Sequence, residues 1–158
     1  MKGCDSPQET LPRDISHETY TSFRRDALRK RETTGLGQCS RDMDNLYQFW
    51  SHFLVRNFNT RMYEEFHSFA LEDHSKRQTD VGLRNLLQYY DVSLKGEKMV
   101  SDGLARDYVA LVRNEDGDRQ RVGFEKLRAA WRSGSLNGSN RKKIGGLLSP
   151  DSKAELER

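Results

Sequence analysis

Cysteine, proline and long apolar runs are all scarce in this sequence, and each scarcity excludes something. Two cysteines, Cys4 and Cys39, make neither a disulfide framework nor a metal set, so a reduced, intracellular setting is expected. No run of about 18 apolar residues occurs, and no membrane span is expected. The N-terminal stretch, Met1 to Thr10, has no apolar h-region and does not read as a secretory signal. Hydrophobic residues make up 34% and charged residues 32%, so the 158 residues cannot all be packed core. The expectation is one domain with polar, structureless ends. Residues 1–14 would be disordered, 15–136 a helical domain, and 137–158 a flexible basic tail, with a weak helix from Asp151.

Catalytic signatures are missing too. There is no Walker-type loop, dinucleotide fingerprint or Gly-x-Ser-x-Gly elbow, and Gly35-Leu36-Gly37 lacks the rest of any phosphate-loop pattern. His67 and His74 have Glu72 and Asp73 nearby, but a metal needs ligands converging from more than one place. Surface histidines are the plainer reading. Cys39 and His52 as nucleophile and base have nothing else to orient them. No enzyme, metal or cofactor is expected.

Net charge is only +3, but its distribution is uneven. Arg24 to Arg31 carries five basic residues against Asp26, and Arg119 to Lys143 carries eight against Glu125. The stretch between, Met62 to Asp118, has twelve acids against seven bases. Such blocks suit a polyanion lying along part of the surface. Solvated helix faces that keep a small protein soluble would look the same.

What the chain does have is concentrated between Met43 and Phe66. Met43, Leu46, Tyr47, Trp50, Phe53 and Leu54 recur at the spacing of one helical face, after the capping residues Ser40 and Asp42. A second helix is expected past Asn59, carrying Met62, Tyr63, Phe66 and Phe69. An earlier helix starts at Ser16 or His17, and Gly35-Leu36-Gly37 ends it.

These helices repeat. Tyr63, Phe66, Ala70 and Leu71 reproduce Tyr20, Phe23, Ala27 and Leu28 at an offset of 43. Leu83 to Tyr90 reproduces Met43 to Trp50 at an offset of 40, and Val122 to Trp131 reproduces Val81 to Tyr90 at 41. Leu104, Tyr108, Leu111 and Val112 open the third unit, with a turn at Asp116-Gly117-Asp118. The pattern is a helix hairpin of roughly 40 residues repeated over about 15–58, 59–98 and 99–136. One hairpin cannot bury its apolar face alone, so neighbours must stack. Trp50, Tyr90 and Trp131 fall at equivalent places and are expected to be the anchors between layers.

Between Tyr20 and Trp131 the chain resembles the C-terminal tandem helical repeats of the La-related protein 1 family. The residues that carry the resemblance are Asn45 to Leu54, Phe58 to Phe66, and Ala70-Leu71-Glu72-Asp73. Thinner matches are Gly82-Leu83, Tyr89-Tyr90 and Val122 to Lys126. The resemblance implies an all-α fold, a HEAT-like α-solenoid of three helix-hairpin repeats. It also implies binding of the methylguanosine cap and adjoining pyrimidines at mRNA 5′ ends, and a role in translation control and mRNA stabilization. Such a pocket holds a methylated base between two aromatic rings, with an acid on its edge and arginines on the phosphates.

The family's pocket residues do not carry over. Its phosphate-facing arginine corresponds to Gln48, with Gln88 as the second-repeat counterpart, and a further arginine corresponds to Val55, beside Arg56. The two sandwiching tyrosines fall at Val92 and Ser133, and the base-reading glutamate at Lys95, a reversed charge. His52 replaces an aromatic and can still stack. Both rings and the acid are thus gone, and each such contact is worth about 1–3 kcal/mol in comparable sites. The expected RNA face is therefore Gln48, His52, Arg56, Gln88, Lys95, Arg128 and Arg132, with Arg141-Lys142-Lys143 adding salt-sensitive affinity. A cytoplasmic monomer binding mRNA 5′ ends, with translation-machinery proteins as further partners, is one expectation. The alternative is a helical-repeat scaffold for protein partners, which the loss of the pocket leaves untouched.

Overall fold

The computed structural model describes residues 17–115 and 120–158, and among them the chain is helical throughout, with no strand. Its helices are α1 (His17–Thr33), α2 (Arg41–Arg56), α3 (Thr60–Lys76), α4 (Val81–Lys95), α5 (Asp102–Arg113), α6 (Val122–Ser133), α7 (Gly138–Leu147) and α8 (Pro150–Glu157). The disorder expected over residues 1–14 and the turn at Asp116-Gly117-Asp118 lie outside the described residues.

Short polar side chains set most of the helix starts. Ser40 Oγ accepts from the Met43 N–H at 3.1 Å, Asn59 Oδ1 from Met62 at 2.9 Å, and Ser101 Oγ from Leu104 at 3.1 Å. Each such cap stabilises its helix by about 1 kcal/mol. Helix α6 has no cap of its own, and Glu115, just past α5, serves instead. Its carboxylate accepts from the Gly123 and Phe124 N–H groups at 2.6 and 2.9 Å. Gly134 then ends α6 at a φ of 76°, the left-handed conformation that glycine adopts without strain.

The chain divides into two compact units, one ending at Tyr89 and the other beginning at Tyr90, within α4. In the first unit α2 supplies the core. Met43, Leu46, Tyr47, Trp50 and Leu54 are buried along it, as the periodicity predicts, but Phe53 of the same predicted face is only half-buried and Phe49, outside it, is buried against Tyr20 and Phe23. Trp50 packs between both neighbouring helices. Its indole N–H donates to the Tyr20 hydroxyl at 3.0 Å, and its ring lies 5.6 Å from Phe66 and 6.3 Å from Phe69. Helices α1 and α3, one repeat apart, are tied by ion pairs. Arg24 meets Glu65 at 2.6 Å, and Arg31 meets Glu72 at 2.8 Å and Asp73 at 2.9 Å. Burial alone would lower the Arg31 pKa, but its bonds to Glu72 and Asp73 outweigh that and raise it. The Tyr47 hydroxyl donates to the other Asp73 oxygen at 2.5 Å, and burial with that bond pushes its pKa well up.

The second unit repeats the arrangement. Tyr90 packs on Tyr108 of α5 at 5.0 Å, and the edge of Trp131 reaches Gly145 of α7. Each of the three repeating aromatics is therefore buried and set against the first helix of the following pair. For Trp131 that following pair is α7 and α8, where composition predicts a flexible tail. Residues 137–158 instead form two helices, with Asn140, Ile144 and Leu156 buried, and the expected helix from Asp151 is α8. The cause is polar anchoring rather than a strong apolar stripe. Asn140 donates to the Leu94 and Lys98 carbonyls at 3.2 and 3.1 Å and accepts from the Val100 N–H at 2.9 Å. Asn137 caps α7 and donates to the Gly96 and Glu97 carbonyls at 3.0 and 2.6 Å.

Candidate nucleic-acid interface

The polar side of α2 is built by its own periodicity. With the apolar residues turned inward, positions four apart on the other side fall in one row, and Gln48, His52 and Arg56 occupy it. All three are exposed. The Gln48 amide donates to Asp44 at 3.0 Å, and His52 Nδ1 lies 2.8 Å from the Gln48 carbonyl. A carbonyl only accepts, so Nδ1 carries a proton in this bond. Arg56 closes the row in the last turn of α2, where a cation suits the helix dipole.

The remaining expected residues fall on α4 and α6. Gln88 is exposed on α4 in the first unit. Lys95, in the second, is exposed at the end of α4 and holds Asp91 at 3.1 Å. On α6, Arg132 is exposed, while Arg128 is half-buried and lies 3.9 Å from Glu125. The backbone N–H of Asn137 donates to the Leu94 carbonyl at 3.3 Å, which brings the chain after α6 against the end of α4. Val92 and Lys95 on α4 and Arg132 and Ser133 on α6 thus belong to two elements of the second unit that this bond joins. No aromatic ring occupies either sandwiching position there. Val92 is 40% exposed, and the Ser133 hydroxyl bonds the Ala130 carbonyl at 3.3 Å and Ser135 at 2.6 Å.

Two residues expected to be free tail charges are structural. Arg141 donates to the Trp131 carbonyl at 2.7 Å and lies over the Trp131 ring at 4.0 Å. Lys143 donates to the Val100 carbonyl at 2.7 Å and pairs with Asp102 at 2.8 Å. Of the three basic residues, only Lys142 is fully exposed.

Among the described residues no group of three or more His, Cys, Asp or Glu side chains is placed to hold a metal. His74 meets Asp80 at 2.5 Å, and His67 lies 5.9 Å from the Tyr63 ring. Among the described residues, too, no helix is long and apolar enough to cross a membrane. A cleft in the second unit, lined by Val109, Val112, Phe124, Leu127 and Leu156, has room for only a few water molecules. Arg121 bridges it to Glu155 at 2.7 Å and covers Phe124 at 3.9 Å, so it is a packing joint.

Consecutive helix pairs, buried aromatics at one repeat spacing, and ion pairs joining helices one repeat apart define a tandem helical-repeat protein. The chain matches the family described as the LARP1 HEAT repeat region over residues 8–143 and belongs to it. The match covers most of the sequence and ends inside α7, so α8 lies beyond it. The fold is accordingly all-α and HEAT-like.

Proposed function

We propose that this chain is an RNA-binding module acting at mRNA 5′ ends in translation control and mRNA stabilization in the cytoplasm, with its cap pocket degenerate. The observation that carries this reading is the exposed row Gln48, His52 and Arg56 on α2 of a member of this repeat family. Glutamine can read base edges, the exposed His52 ring can stack on a base, and Arg56 can neutralise a phosphate. Gln88, Lys95, Arg128 and Arg132 extend the same chemistry onto α4 and α6. Cap recognition by two rings and an acid is not supported, because Val92, Lys95 and Ser133 stand where that geometry needs them. No catalytic role is assigned.

The test is fluorescence anisotropy of capped and uncapped pyrimidine-rich 5′ RNA oligomers across a salt series. Equal affinity for both, with a steep salt slope, is the expected result. A strong preference for the capped oligomer would show that the pocket survives in another form. No binding at low salt would remove the RNA reading.

A second reading, a scaffold for protein partners, has one observation in its favour. Val92 and Met99 are apolar yet 40% and 61% exposed. Isolated exposed apolar residues are ordinary on protein surfaces, so this reading stands behind the first.

A further inference from the structure

The connection between α2 and α3 is three residues long, Asn57, Phe58 and Asn59, and both asparagines are engaged in capping. The Asn57 N–H donates to the Phe53 carbonyl at 3.0 Å, and Asn59 receives the Met62 N–H. Phe58 is thus held on both sides by fixed backbone. One side of its ring packs on Tyr63 at 5.7 Å, and Tyr63 is itself buried against Tyr89 at 6.1 Å. The ring is nonetheless 47% exposed. Arg56 and Arg61, both exposed, flank it in sequence, with Glu64 one turn further along α3.

Packing explains half of this. An apolar residue just before an N-cap commonly staples to the residue four positions into the helix, and Phe58 on Tyr63 is such a pair. A staple needs only an apolar side chain, and leucine would serve without leaving an aromatic face in water. A pinned ring with an exposed arginine on either side of it in sequence has the composition of a stacking platform for single-stranded nucleic acid, in which cations track the phosphates and the ring takes a base. It also follows, two residues past Arg56, the helix that carries Gln48, His52 and Arg56.

We infer that Phe58 is a nucleobase-stacking residue, which with Arg56 and Arg61 extends the RNA path past the C-terminal end of α2. The inference rests on the RNA reading above. It requires an unpaired base, and any base serves, because stacking uses the ring face rather than the hydrogen-bonding edge.

The experiment uses the full chain and the uncapped pyrimidine-rich oligomer, with an abasic nucleotide moved through it one position at a time. The wild type should lose affinity when the abasic site falls at one or two adjacent positions. Phe58→Ala should bind roughly 5- to 100-fold more weakly and show no such dependence at those positions. Phe58→Trp should restore both the affinity and the dependence. Phe58→Leu keeps the staple, so its melting temperature should stay near that of the wild type while its RNA affinity falls like that of the alanine variant. Wild-type affinity in Phe58→Leu, or an unchanged abasic profile in Phe58→Ala, would overturn the stacking role and leave the RNA reading standing. A wild-type chain that binds no RNA would overturn both.

Discussion

Arg31 on α1 and Asp73 on α3 meet at 2.9 Å across 42 residues of sequence, with both side chains nearly sealed from solvent. Asp73 also receives the Tyr47 hydroxyl, and Arg31 lies over the Phe69 ring at 4.6 Å. The pair joins the first helices of two successive repeats, so it fixes their register. The motif Ala70-Leu71-Glu72-Asp73 is therefore built for folding, not binding. Asp73→Ala leaves Arg31 its bond to Glu72 but removes the acceptor of the buried Tyr47 hydroxyl, so it should destabilise the protein by about 1–3 kcal/mol in urea unfolding. The double variant Arg31→Met with Asp73→Leu should recover only part of that loss, because the buried Tyr47 hydroxyl still lacks its acceptor.

Gly82 on α4 meets the Tyr47 ring more closely than any side chain allows. A Cβ added there would fall 2.5 Å from Cζ and 2.8 and 2.9 Å from the two Cε atoms. The Tyr47 hydroxyl is tied to Asp73, so the ring cannot simply turn away. Gly82→Ala should cost about 1–3 kcal/mol, despite alanine's better helix propensity, and thermal melts followed by circular dichroism will show it.

The parts of the fold legible in the sequence are those written in apolar periodicity and capping chemistry. Most of the buried face of α2, the caps Ser40 and Asn59, and the anchors Trp50, Tyr90 and Trp131 could be placed from spacing alone, though Phe49 is buried in place of the expected Phe53. Helices α7 and α8 could not. Gly138 to Leu147 contains three glycines and three consecutive basic residues, the composition of a linker, and its anchor is Asn140, which no hydropathy pattern marks. The same limit applies to charge. Arg141 and Lys143 look like free tail cations until the carbonyls of Trp131 and Val100 are seen beside them. Gln48, His52 and Arg56 were readable as exposed because α2's apolar stripe fixes the opposite side.

Asn140 carries a prediction of its own. Its side chain makes three hydrogen bonds to the segment 94–100 while completely buried. Asn140→Ala takes this partner from the Lys98 carbonyl and the Val100 N–H, while the Leu94 carbonyl keeps the Asn137 N–H, and it should destabilise the second unit by on the order of 2 kcal/mol. Hydrogen exchange should report it locally, with the Val100 amide losing protection before the amides of α2.

Cys39 gives a pH-dependent readout. Burial, with Asp44 nearby, pushes its thiol up to about 11. An unfolded cysteine titrates near 8.5, so the folded state holds the proton more tightly. Any stability this contributes is present below about pH 8.5 and is lost as pH rises toward 11. Iodoacetamide reacts with the thiolate, so at pH 8 the folded chain should be alkylated at Cys39 markedly more slowly than the urea-unfolded chain. The folded rate should climb about tenfold per pH unit until about pH 11.

The proposed RNA face separates into residues that set salt dependence and residues that do not. Arg56 and Arg132 are exposed cations, so Arg56→Glu and Arg132→Glu should each weaken RNA binding and flatten the salt slope by about 0.7–1. Gln48 carries no charge, and Gln48→Ala should weaken binding with the slope unchanged. Arg25, exposed on α1 and 3.7 Å from Asp26, is not among the proposed RNA-binding residues and is the control. If Arg25→Glu lowers affinity as much as Arg132→Glu, the chain binds RNA through diffuse charge, and the row on α2 has no special part in it.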